Sequence, residues 1–123
     1  MFELKIKSRF SSAHFLRDYN GKCENLHGHN WKVEVSVQGI ELNNINLLID
    51  FKELKKILKN IFEELDHKLL NEVEFFITNN PSCENIAFYI YKKLADALSF
   101  NNKIKVSKVC VWETDDSNAT YYE

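Results

Sequence analysis

Hydrophobic and polar residues alternate in two stretches in the first third of the chain. Phe2, Leu4 and Ile6 are separated by charged residues, and the run from Trp31 to Val37 alternates with polar residues in the same way. A period of two is typical of a strand with one buried face. The polar, glycine-containing stretch from Arg17 to Asn25 predicts a loop between these two strands.

The central part of the chain changes to helical spacing. Asp50 is placed to cap a helix, Glu53 follows three residues later, and apolar residues recur at helical intervals as far as Leu65. A second helix is predicted to begin near Ser82, directly after a proline, and to carry an apolar stripe to Ala97.

Three shorter stretches have strand character. Leu47–Ile49 predicts a short strand before the first helix, and Ile104–Glu113 predicts a longer one whose alternation slips at Ser107-Lys108, where we expect a bulge. Ala119–Tyr122 predicts a last short strand. The main order of two strands, two helices and two strands predicts an α+β fold, with an antiparallel sheet covered by helices on one face.

Composition limits the classes of function. The 123 residues fit one domain, 1–123, and 45% of them are hydrophobic, which is enough for a packed core. A formal charge of −2 argues against a nucleic-acid partner, because phosphate backbones need a concentrated basic surface. No apolar run is long enough for a membrane span and no signal-peptide core is present, so we expect a cytoplasmic protein.

Three of the four histidines are placed where they can meet. His27 and His29 flank Gly28, and residues two apart in extended chain project to the same face. Gly28 would let the backbone approach the site closely. His14 ends the first strand, so an antiparallel partner would bring it beside the start of the second. Three neutral imidazoles with one open position are typical of catalytic zinc. Solvated or buried structural histidines, or an iron, copper or nickel site, are the alternatives at this point.

Other polar residues allow acid–base chemistry. Asp66 precedes His67, and a carboxylate can orient an imidazole for proton transfer, although a histidine at a helix end is equally well explained by the helix dipole. Cys23 lies in the polar loop before His27, where a nearby cation would favour its thiolate. Glu24 is either a solvated loop charge or a second base. The three cysteines, Cys23, Cys83 and Cys110, show no disulfide or C-x-x-C pattern.

Several motifs taken together resemble the 6-pyruvoyltetrahydropterin synthase family, which includes the 6-carboxytetrahydropterin synthases of the queuosine pathway. They are collinear over nearly the whole chain: Phe10-Ser11-Ser12-Ala13-His14, Cys23-Glu24-Asn25-Leu26-His27-Gly28-His29, Leu48-Ile49-Asp50-Phe51-Lys52-Glu53-Leu54, Leu65-Asp66-His67-Lys68-Leu69-Leu70-Asn71, Asn80-Pro81-Ser82-Cys83-Glu84-Asn85 and Val111-Trp112-Glu113-Thr114. The resemblance implies a tunnelling fold, a four-stranded antiparallel sheet with two helices on one face. It also implies a homo-oligomeric barrel, a trimer or hexamer with active sites between subunits.

The resemblance implies three groups of site residues. The ligands of one zinc ion per subunit would be His14, His27 and His29. The residues that move protons would be Cys23, Asp66 and His67, the last two from the same or from a neighbouring subunit. The residues that bind the pterin would be Glu113, Ser82 and Cys83, where Cys83 departs from the usual serine or threonine. Arg17 and Lys22 are candidates for the phosphates.

The implied substrate is 7,8-dihydroneopterin triphosphate, and the loop before His27 separates two reactions. The position of Cys23 matches the queuosine-type enzymes, which form 6-carboxy-5,6,7,8-tetrahydropterin and release acetaldehyde and triphosphate. The position of Glu24 matches folate-type relatives, which form 6-hydroxymethyl-7,8-dihydropterin, so a second activity is possible. Two other classes are weighed: a non-catalytic zinc-stabilised binding module and a three-histidine zinc hydrolase, neither of which needs Glu113.

Overall fold

The computed structural model describes residues 1–21 and 24–123. Its fold is a four-stranded antiparallel sheet with helices on one side. The strands, which lie side by side in chain order, are β1 (Phe2–His14), β2 (His27–Gly39), β3 (Ile104–Thr114) and β4 (Ser117–Tyr121). The helices are α1 (Phe51–Phe62), α2 (Glu74–Thr78) and α3 (Cys83–Ala97), with a 3₁₀ turn at Leu70–Glu72. The predicted α+β class is confirmed.

The first two strands pair over their full length. The register runs from Phe2 opposite Gly39 to His14 opposite His27, without interruption. The end of β1 therefore lies directly beside the start of β2, as the predicted antiparallel pairing requires. This register brings the first histidine next to the other two.

The predicted bulge in the third strand is confirmed. Ser36 pairs with Lys108 and Val37 pairs with Val106, so Ser107 is the extra residue on β3. An unpaired residue of this kind resets the alternation of buried and exposed positions. It explains why the hydrophobic pattern of this strand slips at that point.

The hydrophobic core lies between one face of the sheet and the helices. Trp31, Val33 and Val35 of β2 are fully buried, whereas Lys32 and Glu34 between them lie on the opposite face. The helices contribute apolar residues to the same core, among them Leu54, Leu58, Ile86, Ile90 and Leu94. Burial of alternate strand residues and of one helical stripe is what the sequence periodicities predict.

Both long helices begin where capping residues predict. The carboxylate of Asp50 accepts a hydrogen bond from the backbone N–H of Lys52, at 2.8 Å. The hydroxyl of Ser82 accepts one from the backbone N–H of Asn85, at 3.2 Å. Each cap satisfies an N–H group that the first helical turn leaves free.

Two predictions about secondary structure are wrong, and one short helix was not predicted. Leu47–Ile49 forms no strand, because Leu48 and Ile49 are buried as part of a loop that packs beside Gly39. The first helix ends at Phe62, and Leu65 reaches the core from a turn in which its N–H bonds the carbonyl of Phe62. The five-residue α2 was not expected, since so short a segment shows no helical period.

A non-strand segment covers the outer edge of β1 near the histidines. The N–H of His67 donates to the carbonyl of Ser11 at 2.6 Å, and the N–H of Ala13 donates to the carbonyl of Lys68 at 3.1 Å. The rest of the β1 edge has no strand partner within the described residues. Across the same described ranges, none of the helices is long and apolar enough to cross a membrane.

Candidate metal centre and active site

Four side chains converge at one end of the sheet. His14 comes from the end of β1, His27 and His29 from the start of β2, and Glu113 from the end of β3. The atoms that could bind a metal ion all lie within 4.8 Å of one another. The three histidines that the sequence predicts as a cluster are therefore brought together, with a carboxylate beside them.

Backbone carbonyls fix the orientation of two of the imidazoles. His14 Nδ1 lies 2.7 Å from the carbonyl of Pro81, and His27 Nδ1 lies 2.7 Å from the carbonyl of Asn25. Because a carbonyl oxygen can only accept, each Nδ1 carries the hydrogen, and each neutral ring then presents a lone pair at Nε2. This carbonyl-to-imidazole arrangement is the usual support of a metal-binding histidine.

The distances within the cluster fit a small tetrahedral cation. His14 Nε2 lies 3.0 Å from His27 Nε2, and Glu113 Oε1 lies 3.5 Å from His14 Nε2 and 3.3 Å from His29 Nε2. Two nitrogen ligands of a tetrahedral zinc ion, each about 2.0–2.1 Å from it, would be about 3.4 Å apart. His29 Nε2 is buried and makes no hydrogen bond within the described part of the chain, despite the nearby carboxylate.

Burial favours the neutral form of two of the imidazoles, those of His14 and His29. The pKa of His14 is lowered chiefly by burial, with smaller contributions from His27 and His29, although the Pro81 carbonyl and Glu113 oppose the shift. The pKa of His29 is also lowered by burial and by His27, against the opposing effect of Glu113. Neutral imidazoles are the form that binds a metal, so the site is prepared for a cation at neutral pH.

The role expected for Gly28 is wrong. Its φ is not positive, and a Cβ added there would meet only the carbonyl oxygen of Ser12, at an ordinary 3.8 Å, among the described residues. Extended backbone alone places His27 and His29 on one face, and the glycine is not required for a close approach.

A second polar pair lies at the outer edge of β1. Asp66 Oδ1 is 3.0 Å from His67 Nδ1, and it also accepts a hydrogen bond from the backbone N–H of Ser11 at 2.9 Å. That hydrogen bond is the main reason why the pKa of Asp66 is lowered, and His67 adds to the shift. His67 has a positive φ of 58°, which is a left-handed backbone conformation.

Comparison with known proteins identifies the family. The family model described as 6-pyruvoyl tetrahydropterin synthase matches residues 3–123. The chain belongs to this family. Two curated relatives match over most of their lengths: the 6-carboxy-5,6,7,8-tetrahydropterin synthase of Haemophilus influenzae, at 30% identity over 100% of both chains, and the dihydroneopterin monophosphate aldolase of Pyrococcus furiosus, at 33% identity over 89% of this chain and 88% of that one.

The fold is also that of the family. The solved structure of Caenorhabditis elegans 6-pyruvoyl tetrahydropterin synthase superimposes with a TM-score of 0.88, at 31% identity, over 99% of this chain and 95% of that one. The predicted tunnelling fold is therefore confirmed at the level of one subunit. As a member of this family, the chain has a cluster of three histidines and a glutamate that could hold a metal ion.

The two residues predicted to bind pterin at the second helix lie near the cluster. Ser82 caps α3, and Cys83 donates from Sγ to the carbonyl of Val111 at 3.1 Å, two residues before Glu113. Burial is the main cause that raises the pKa of Cys83 to about 11, so the thiol is protonated at neutral pH. Pro81, directly before Ser82, uses its backbone carbonyl to accept the hydrogen bond from His14 Nδ1. The sequence-predicted pterin residues and the histidines thus share one end of the molecule.

The loop before β2 is only partly described. Lys22 and Cys23 lie outside the described residues. Glu24 is exposed, and its backbone N–H donates to the carbonyl of Gly21 at 3.2 Å. The guanidinium of Arg17, a candidate for the phosphates, donates to the carbonyl of Phe76 at 2.5 Å.

Sequence reasoning did not foresee two features of the site, the approach of Glu113 to the histidines and the carbonyls beside two of the imidazoles. Glu113 was expected at the pterin, and its position beside His14 and His29 follows from the register of β2 with β3, in which Val33 pairs with Val111. A register predicted from the bulge would have revealed it. The carbonyls of Pro81 and Asn25 could not be found from residue types, since every residue has a carbonyl.

Proposed function

We propose that the protein converts 7,8-dihydroneopterin triphosphate to 6-carboxy-5,6,7,8-tetrahydropterin, releasing acetaldehyde and triphosphate, with one zinc ion per subunit. Support comes from family membership, from the full-length similarity to the Haemophilus influenzae synthase, and from the cluster of possible metal ligands.

The main support for the zinc site is the arrangement of lone pairs in the cluster. His14 and His27 each direct a lone pair from Nε2 into the same space, 3.0 Å apart, and Glu113 adds a carboxylate oxygen. Three acceptors without a hydrogen between them repel one another unless a cation lies among them. His29 Nε2, buried without a hydrogen bond among described residues, is available as the third nitrogen donor. Nitrogen-rich donor sets of this kind suit zinc.

The chain's own residues divide the work. His14, His27 and His29 would hold the zinc ion, which supplies Lewis-acid polarisation of the substrate side chain. Glu113 would accept two N–H donors from the pterin edge, a bidentate fit for a carboxylate. Cys23 would take and return protons on the side chain. His67, held by Asp66 in one orientation at 3.0 Å, would relay protons as a general acid–base.

The active protein is proposed to be a cytoplasmic homo-oligomer, a trimer or hexamer with sites between subunits. Its support is the open edge of β1 beyond the segment that contains His67, together with the free edge of β4 among the described strands. Pairing of such edges between copies would remove unpaired backbone groups and close a barrel.

A second candidate function is formation of 6-hydroxymethyl-7,8-dihydropterin, alone or beside the first. Glu24 favours it, because its carboxylate is exposed in the loop that also contains Cys23 and leads to His27. The similarity to the Pyrococcus furiosus aldolase, at 33% identity, is consistent with this branch. Two bases in one loop would act on different protons of the same side chain.

A product assay tests both branches. Zinc-loaded protein is incubated with 7,8-dihydroneopterin triphosphate, and the pterins are resolved by mass spectrometry, with acetaldehyde measured by a coupled alcohol dehydrogenase. We expect the carboxytetrahydropterin and acetaldehyde in equal amounts. Glu24→Gln should abolish only the hydroxymethyl product, and Cys23→Ala should abolish the carboxy product.

Other outcomes favour other classes. Substrate returned intact by a protein that still binds one zinc ion per chain would indicate a zinc-stabilised binding module. Hydrolysis that survives Glu113→Ala would indicate a zinc hydrolase without pterin recognition. Loss of both products in Glu24→Gln would contradict separate roles for Glu24 and Cys23.

A further inference from the structure

Two asparagine side chains hold the chain that leaves His14. Asn71 accepts from the N–H of Phe15 at 3.0 Å and donates to its carbonyl at 2.9 Å. The Asn80 side chain likewise accepts from the N–H of Arg17 and donates to the Arg17 carbonyl, both at 2.9 Å. A carboxamide offers one acceptor and two donors, so it reproduces the paired bonds of a strand neighbour. Each asparagine therefore replaces a strand partner beyond the end of β1.

Asn80 is linked to the candidate metal centre as well. The residue after it, Pro81, uses its carbonyl to accept from His14 Nδ1 at 2.7 Å. The backbone carbonyl of Asn80 accepts from the side chain of Asn85, also at 2.9 Å. Asn85 belongs to the first turn of α3, and its N–H is capped by Ser82. The turn that orients His14 is thus fastened to α3 on one side and to the chain after β1 on the other.

This geometry gives Asn80 a role that its residue type alone does not reveal. His14 is 1% exposed, and within the described residues its Nδ1 has a single hydrogen-bond partner, the Pro81 carbonyl. If that carbonyl shifts, the imidazole loses the bond that sets its tautomer and aims Nε2 at the other ligands. The side-chain carboxamides of Asn80 and Asn85 make hydrogen bonds that hold in place the turn containing the Pro81 carbonyl.

We propose that Asn80, supported by Asn85, is a positioning residue that fixes the Pro81 carbonyl against His14 and so sets the metal affinity of the centre. The inference rests on the proposed zinc site. It assigns no contact with the substrate to either asparagine. It predicts that metal binding, rather than only folding, depends on the Asn80 carboxamide.

The test measures metal binding directly. Apo protein is prepared by chelation, and the zinc dissociation constant is measured by competition with a chromophoric chelator. The visible spectrum of the cobalt(II)-loaded form reports ligand geometry independently. Asn80→Ala should weaken zinc binding by about 10–100-fold, the range usual for losing a supporting contact of a metal-bound histidine, and should change the cobalt bands. Asn80→Asp keeps the acceptor for the Arg17 N–H and should show a smaller loss.

Asn43→Ala is the matched control. The Asn43 carboxamide accepts from the N–H groups of Ile45 and Leu47, so this variant also loses two side-chain hydrogen bonds in a loop. Asn43 follows β2, whose length of roughly 40 Å separates it from the histidine end of the sheet. We expect a similar fall in thermal stability, with unchanged zinc affinity and cobalt spectrum.

The outcomes separate the inference from the proposed function. Wild-type zinc affinity and cobalt bands in folded Asn80→Ala overturn the positioning role. Zinc binding by His14→Ala as tight as in the wild type overturns the metal centre itself. If Asn80→Ala does not fold, Asn85→Ala decides, because it removes a single bond to the turn. A several-fold loss of zinc affinity there supports the inference, and an unchanged affinity contradicts it.

Discussion

The histidine cluster and the Asp66–His67 pair are built in opposite ways, although both are candidates for the same reaction. The His14 side chain is 1% exposed, and backbone carbonyls hold it and His27. The His67 side chain is 82% exposed and lies beside the carboxylate of its sequence neighbour Asp66, and its backbone N–H bonds the edge of β1. The cluster is complete within one chain, whereas the pair is presented outward.

The difference also concerns charge. Burial lowers the pKa of His14 and His29, so these rings stay neutral and suit a metal ion. A backbone hydrogen bond lowers the pKa of Asp66, so a carboxylate stays ionised beside an exposed imidazole. Neutral imidazoles are suited to binding a cation, and an exposed carboxylate–imidazole pair is suited to exchanging protons. We therefore expect the two regions to fail in different ways when mutated.

The largest expected effect separates metal binding from proton transfer. His14→Ala should lose stoichiometric zinc and all measurable turnover, because it removes a ligand and the ring that the Pro81 carbonyl orients. His67→Ala should keep one zinc ion per chain and lower kcat by about 10²–10⁴-fold, the usual contribution of a general acid–base. Metal analysis of the purified variants and steady-state kinetics measure both. A zinc-free His67→Ala protein would place His67 among the ligands instead.

The next test asks whether the outward pair serves a neighbouring subunit. His14→Ala protein, expected to be inactive, and His67→Ala protein, expected to keep about 1% of wild-type turnover or less, are refolded together in equal amounts. If each site combines the cluster of one subunit with the pair of the next, about a quarter of the sites in a randomly mixed ring regain both parts. Turnover near a quarter of the wild-type value is expected. No recovery, in oligomers shown to be mixed, would mean that both parts belong to one chain.

The smallest effect is expected at Glu113. This test distinguishes a carboxylate that binds the pterin from one that binds the metal ion. Glu113→Gln keeps the shape and removes the charge that would grip the pterin. Loss of charged hydrogen bonds of about 1.5–3 kcal/mol should raise KM about 10–100-fold, with zinc affinity unchanged. Glu113→Asp serves as the charge-preserving comparison. Weaker zinc binding with an unchanged KM would instead make Glu113 the fourth metal ligand.

Local signals predicted most of the fold. The capping roles of Asp50 and Ser82 depend on a few neighbouring residues, and the bulge at Ser107 appears directly as a break in alternation. Leu47–Ile49 was misassigned because burial of Leu48 and Ile49 in a loop gives the same apolar pattern as a strand. Short apolar runs do not separate these cases.

The site was predictable only where strand geometry links its parts. The spacing of His27 and His29, with His14 on the paired strand, follows from period and register. The approach of Glu113 depends on the pairing of β2 with β3, more than seventy residues apart in the chain. The positive φ of His67 could not be predicted, since residues other than glycine seldom adopt it.

That left-handed backbone at His67 also has a consequence for stability. A side chain at φ 58° costs about 1 kcal/mol or more relative to glycine, which adopts such angles freely. Backbone energetics alone would therefore favour glycine at this exposed turn, and an 82% exposed ring adds little packing in return. Histidine at this turn therefore costs some stability of the fold, and the proposed chemistry of the imidazole, rather than its packing, would account for a side chain here.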